Sequence, residues 1–356
     1  MKLYLALGLL CLCLAILPSV GAPERRLLQL ESSAASLTVD LTGGVLTDFH
    51  LAGDPLNPLR GMGHFLCLDR WGQPSEAEAK NGMPFHGEAS KVEWRVTRAP
   101  ERRNGGIEAE MAAELPLAGL EVRRRIRMPD TAALVLVREE VTNRNRLGRI
   151  FNIVQHPTIG PPFLDLETRV DAGAGRGFMQ SSPLPNPERP TVRWPGALHE
   201  GKRVNMRRLA DDPNPNVVSY EVLGDYGWTT ACAPEQGRLL GYVWPKADYP
   251  WFNAWRHVEN GKPALRGLEF GTTGLHQPFP VLVKKGRIFD LPLYTHLDAG
   301  ESVTRSFAMF LLRTPPRFEG VRRVAYEGGE LAVHERGRGG RRLSVPAEGL
   351  NGTGGP

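Results

Sequence analysis

The sequence predicts an all-β protein built as a large antiparallel sandwich. Three observations carry this. Apolar and polar residues alternate with period two from Ser36 onward, Gly and Pro punctuate the alternation, and no segment shows a long apolar stripe at i, i+3, i+4 and i+7. The 40 glycines and 30 prolines in 356 residues also oppose a helical protein.

The amino terminus comes first. Lys2, an apolar run from Leu3 to Leu17 and the small residues of Val20-Gly21-Ala22 predict a secretory signal peptide over residues 1–22. The run is shorter than the ~20 residues that span hydrocarbon, so cleavage is expected to leave an exported chain, periplasmic or secreted, without stable membrane insertion. Leu37 to Leu41 and Val45 to Leu51, joined at Gly43-Gly44, read as an opening hairpin. Further strands are expected over 92–98, 107–115, 121–128, 133–141 and 149–155. The unbroken apolar run from Ala133 to Val137 suits a strand buried on both faces. Arg123, Arg125 and Arg127 share one strand face, which is either a solvated outer surface or a contact for an anionic sugar.

Ser181 to Arg208, rich in Pro, Asn and Arg, reads as a long loop over an edge or mouth of the sandwich. From Gly328 the chain turns Gly/Arg-rich, which predicts a disordered tail over 328–356 and a single folded domain over 23–315. The tail contains Asn351-Gly352-Thr353, a match to a glycosylation acceptor.

Charge excludes one class of partner. Basic residues outnumber acidic ones only 44 to 39 and are scattered, so a nucleic-acid role is not expected. Beyond the signal only Cys67 and Cys232 remain, compatible with one bridge but with their pairing open.

Four short segments carry candidate chemistry. Arg60, in Leu59-Arg60-Gly61, offers a planar fork for hydroxyls, and His86, in Pro84-Phe85-His86-Gly87-Glu88, a donor for a developing oxyanion. His156 ends the β-branched run Phe151-Asn152-Ile153-Val154-Gln155 just before Pro157. Trp251 and Trp255 offer faces that stack on a pyranose or fill a core. Glu269, between Leu268 and Phe270, has the apolar neighbours that raise a carboxyl pKa toward that of a base working near neutrality. Two histidines and a glutamate are also a ligand set for zinc or iron, yet no His-x-His or His-x-x-x-His pair occurs, so no metal is expected.

The ordered set Arg-Gly, His-Gly with Trp94 seven residues beyond Gly87, Asn-x-x-x-His, an aromatic segment and Gly-Leu-Glu resembles the aldose 1-epimerase (galactose mutarotase) superfamily. The likeness is closest to its hexose-6-phosphate epimerase and epimerase-like branches, and it spans Leu37 to Leu312. The resemblance implies a large antiparallel β-supersandwich, a carbohydrate substrate and no cofactor. It implies His156 as the acid that protonates the ring oxygen and Glu269 as the base at the anomeric hydroxyl. Arg60 and His86 would then hold hydroxyls, with Trp251 or Trp255 as a stacking floor. Three departures stand beside it. Pro157, not an aromatic, follows His156; Glu88 is an added carboxylate next to His86-Gly87; and the substrate-binding aspartate has two candidates, Asp225 and Asp248. A carbohydrate-binding protein that has lost catalysis is therefore the alternative. The identity of the sugar and the oligomeric state stay open.

Overall fold

The computed structural model describes residues 26–208, 216–337 and 340–347. The expected signal peptide and Asn351-Gly352-Thr353 lie outside them. The chain opens with β1 (Leu27–Glu31), β2 (Ala35–Asp40), β3 (Val45–Leu51), β4 (His64–Asp69) and helix α1 (Glu76–Lys80). Then come β5 (Arg95–Arg103), β6 (Gly106–Leu115), β7 (Leu120–Pro129), β8 (Leu134–Asn143), β9 (Arg149–Ile159), β10 (Arg169–Ala172) and β11 (Ala174–Met179). Short β12 (Val192–Arg193), β13 (Gly196–His199) and β14 (Lys202–Asn205) precede β15 (Asn216–Val222), β16 (Tyr226–Ala233), β17 (Arg238–Pro245), β18 (Trp251–Glu259) and β19 (Lys262–Gly271). Helix α2 (Phe279–Lys285) leads to β20 (Arg287–Ile288), β21 (Leu291–Pro292), β22 (Thr295–Leu297), β23 (Ser302–Arg313), β24 (Val321–Glu327), β25 (Glu330–Glu335) and β26 (Arg342–Pro346).

Two antiparallel sheets face each other. The larger runs β1-β2-β3-β4-β9-β19-β18-β15-β11-β12, with β22 added beside β9, and the smaller runs β10-β16-β17-β23-β8-β7-β6-β5. Period-two alternation sends one set of side chains inward: Leu66 and Phe270 meet Val122, Val137, Tyr242 and Phe307 in one continuous core. Phe270 lies flat on Trp244 at 4.1 Å. Burial of such a side chain contributes about 1.5–3 kcal/mol. Because Phe270 points inward, its neighbour Glu269 points out through the opposite face of the larger sheet.

The opening hairpin forms as β2 and β3, and the other five expected strands are present with shifted ends. The strand expected over 149–155 runs on to Ile159. Pro157 meets β4 at the first residue of its pairing, His64, so the missing N–H touches only the margin of that ladder. The apolar run of β8 is buried on both sides: Val135 and Val137 face the sandwich, Leu134 and Leu136 the other way.

What covers that second face is a correction. The tail expected to be disordered from 328 instead supplies β25 and β26, which join β24 in a three-stranded sheet. Leu331, Val333 and Val345 pack there against Leu134, Leu136, Leu239 and Phe310. The folded chain therefore continues past 315; the alternation in Glu330–Glu335 and Arg342–Pro346 outweighs the Gly/Arg composition around it. The expected loop from Ser181 to Arg208 likewise contains the hairpin of β13 and β14. Arg123, Arg125 and Arg127 form ion pairs with Glu121, Glu110 and Glu108 on an outer face. Cys67 and Cys232 are free, buried thiols in separate clusters. Among the described residues no helix is long and apolar enough to cross a membrane.

Candidate active site

The outward face of the larger sheet holds a cavity of about 630 Å³. Its floor takes one residue from each of six adjacent strands: Val45 on β3, Phe65 on β4, His156 on β9, Glu269 on β19, Trp255 on β18 and Val217 on β15. These positions share a face because side chains on a strand alternate. Loops build the walls: Met62, Trp71, Phe85, His86, Ser90, Lys91, Gln180 and His276.

His156 and Glu269 meet at the centre, with Nε2 3.3 Å from Oε1. Phe65 stacks on the His156 ring at 4.2 Å and 18°, fixing its plane, and Thr158 Oγ1 lies 3.1 Å from Nδ1. A hydroxyl can donate or accept, so it serves either tautomer of the imidazole. The other carboxyl oxygen of Glu269, Oε2, accepts from Trp71 Nε1 at 2.7 Å. A Cβ at Gly267 would stand 2.9 Å from Glu269 Oε1 and 3.2 Å from Trp255, so the glycine keeps the carboxyl clear.

The loop carrying Trp71 is anchored by the buried Arg70, which pairs with Asp69 on β4 and with Glu78 on α1. His86 follows at φ 66°, and Gly87 at φ 75° passes so close to β4 that a Cβ would sit 2.2 Å from the Leu68 carbonyl oxygen. That tight approach places the imidazole over the floor, 5.4 Å between ring centres from His156 and 5.6 Å from His276. Gly72 N–H donates to His86 Nδ1 at 3.0 Å, so the neutral ring carries its proton on Nε2. Gln180 ties the His276 loop down: its Oε1 accepts from His276 N–H and its Nε2 donates to Ser219 and to Gly274 O.

Burial sets the charges. It raises the Glu269 carboxyl to about 8 against the smaller opposing effect of Trp71. It lowers His156 to about 3, His86 to about 2 and His276 to about 4, with neighbouring imidazoles adding to the depression of the first two. Near neutrality the His156–Glu269 pair therefore holds one proton and no net charge, and the flanking histidines are neutral.

Of the residues read from sequence, the structure brings His86, His156, Glu269 and Trp255 into one cavity. Two others lie elsewhere. Arg60 is exposed and outside the lining, where Met62 stands instead. Trp251 is fully buried against Phe178 and donates to Pro292 O; it shares a strand face with Trp255, but α2 and its flanking loops close over its end of β18. It is a core residue. Glu88 also turns away, its carboxylate accepting from the backbone N–H of Leu117 and Ala118. Neither Asp225 nor Asp248 lines the cavity; Asp248 accepts from Ser306 N–H instead. Sequence reasoning missed Phe65, Trp71, Lys91 and His276, which sit in segments without a repeating or paired motif. Among the described residues no group of His, Cys, Asp and Glu is placed to hold a metal ion.

The two facing antiparallel sheets define a large β-supersandwich, and comparison with solved structures bears out that fold. A protein from Synechocystis sp. PCC 6803 superposes with a TM-score of 0.60 at 12% identity, over 82% of this chain and 97% of that one. A galactose mutarotase related enzyme from Lactobacillus acidophilus gives 0.58 at 14%, over 81% and 98%. A galactose mutarotase-like protein from Lactobacillus casei gives 0.57 at 15%, over 81% and 100%. The chain thus has the galactose mutarotase-like fold. No protein-family model and no curated protein matches its sequence.

Proposed function

We propose that this chain is an exported aldose 1-epimerase-like enzyme that interconverts the anomers of a free sugar or sugar derivative by opening and reclosing its ring. The carrying observation is the His156–Glu269 pair, in contact at 3.3 Å in the floor of an aromatic-lined cavity. Ring opening needs a proton delivered to the ring oxygen and one removed from the anomeric hydroxyl, two atoms bonded to the same carbon. A pair sharing one proton meets both needs. With His156 protonated and Glu269 ionised, His156 gives its proton to the ring oxygen as Glu269 takes the hydroxyl proton. The pair ends with the proton on the carboxyl, so opening moves it from one partner to the other and leaves the total unchanged. Reclosure on the other face of the rotated aldehyde reverses the transfer. His86, with its proton on Nε2, donates to a sugar oxygen, and Trp255 offers a stacking face. Export rests on the apolar amino-terminal run ending at Val20-Gly21-Ala22.

NMR exchange spectroscopy of anomer interconversion tests this, on aldoses, deoxysugars and uronic acids at neutral pH. Acceleration that disappears in both His156→Asn and Glu269→Gln supports the reading; full activity in both variants refutes the assignment. A second reading has its own observation: no arginine or aspartate lines the cavity among the described residues, leaving few groups to grip hydroxyls. On that reading the chain binds sugar without catalysis. Saturable binding that depends on Trp255, without acceleration of any sugar, would establish it.

A further inference from the structure

One charged residue of the lining takes no part in the ring opening proposed above. Lys91 is exposed on the cavity wall, it is the sole Lys or Arg among the described lining residues, and no ion pair engages it among the described residues. Its position along the floor is set by its neighbours. Gly43 N–H donates to Val92 O, and the space beside Gly43 is filled by Ser90, so Lys91 stands at the turn that leads into β3. Gln180 and His276 stand at the other end, since Gln180 N–H donates to Val217 O on β15. The sheet order between them is β3, β4, β9, β19, β18, β15.

This order matches the covalent order of a pyranose. With the anomeric hydroxyl at Glu269 on β19 and the ring oxygen at His156 on β9, the next ring atom lies toward β4 and β3. That atom is C5, and its substituent is C6. C2 and C3 leave the ring at C1 to the side of this line, so C6 is the carbon that reaches farthest from Glu269 along it. A group on C6 therefore meets Phe65 and then the ammonium of Lys91. We infer that the cavity selects a sugar whose C6 is a carboxylate, a hexuronate, with Lys91 pairing that carboxylate. This inference rests on the acid and base roles given above for its orientation. A single ammonium matches the single charge of a carboxylate; a phosphate monoester carries about 1.5–2 negative charges near neutrality and favours a fork of several donors. The field of Lys91 reaches inward, adding to the depression of His86 caused mainly by burial and opposing the upward shift that burial gives the Cys67 thiol. The neutral His156–Glu269 pair adds no repulsion against an anion.

The test compares anomer exchange of glucuronate, glucose, xylose and glucose 6-phosphate with wild type, Lys91→Gln and Lys91→Glu, alongside calorimetry of glucuronate binding. The expected result is a KM for glucuronate at least ten-fold below that for glucose, the ratio collapsing about ten-fold in Lys91→Gln and further in Lys91→Glu. Xylose, which lacks C6, should behave as glucose does. An unchanged ratio in both variants overturns the inference, as does a preference for glucose or for glucose 6-phosphate. If no sugar is accelerated but glucuronate binds in a Lys91-dependent way, the carboxylate site stands and the catalytic reading falls. Absence of both acceleration and glucuronate binding sinks the carboxylate site.

Discussion

Two histidine–carboxylate constellations lie back to back across β9. Inside the sandwich, Glu139 takes Arg124 Nε at 2.7 Å and Gln155 Nε2 at 2.6 Å, while Gln155 Oε1 meets His64 Nε2 at 3.0 Å. Outside, one residue further along β9, His156 meets Glu269. The inner carboxylate has a guanidinium that is itself held by Gly44 O and laid over Trp94, whereas the outer one is paired with no Lys or Arg among the described residues and faces a cavity. The same residue types are thus a closed structural network on one face and an open proton-sharing pair on the other. Counter-charge and access make the difference, since burial without a cation drives the Glu269 carboxyl toward its protonated form.

Removing each carboxyl group separates the two roles. Glu269→Gln should lower the exchange rate by about 10²- to 10⁴-fold, the usual contribution of a positioned proton-transfer group. Its effect on stability has the opposite sign. A carboxyl raised in the folded state contributes stability that is fully present below its unfolded value, near 4.5, and is lost as pH rises through the folded value of about 8. The glutamine variant does not suffer that loss, so its melting temperature relative to wild type should rise between pH 5 and pH 8. A constant difference across that range would mean the Glu269 carboxyl is not raised. The same carboxyl gives the rate an alkaline limb: activity should decline above about pH 8, where the pair loses its single proton.

Glu139→Gln should do the reverse. It strands the buried Arg124 and is expected to cost about 3–5 kcal/mol in denaturant unfolding, the penalty for breaking one side of a buried pair. A loss under 1 kcal/mol would show that the inner network is no more than filler.

The two tryptophans of β18 extend the contrast along one strand. Trp251→Ala should destabilise by about 3–5 kcal/mol, as deletion of a fully buried aromatic does. Trp255→Ala, at the open end, should mainly raise KM and leave unfolding nearly unchanged. Equal loss of stability in both would remove Trp255 from the site.

How much of this was legible in sequence follows from the same physics. Period two revealed β2, β3 and β6 to β9 because each buries one face, and the continuous run of β8 signalled a strand covered on both. The ordered appearance of His86, His156 and Glu269 pointed to one site. Trp251 and Trp255 could not be told apart, because they have the same face and spacing and differ only in whether α2 lies over them. Arg60 and Met62 were a similar case: two residues apart in a turn, with only the path of that turn deciding which reaches the cavity. Trp71 and His276 left no signal, since loops anchored by Arg70 and Gln180 deliver them from far along the chain. The segment from 328 was misjudged on composition, although Leu331, Val333 and Val345 carried a strand pattern.

The smallest effect expected concerns the single donor that reaches Glu269 from outside the pair. Trp71 Nε1 favours the ionised carboxyl, opposing burial. Replacing it by phenylalanine keeps most of the ring and removes the N–H, at a cost of about 1.5–3 kcal/mol for a hydrogen bond to a charged acceptor. The carboxyl should then be harder to ionise. Two consequences follow from that one cause. The alkaline limb of the rate should move above pH 8, and the rate at neutrality should fall by less than in Glu269→Gln, because the tautomer with Glu269 ionised becomes scarcer without being abolished. A limb that moves down, or a rate loss as large as that of Glu269→Gln, would mean that Trp71 touches the sugar itself and does not act through the carboxyl.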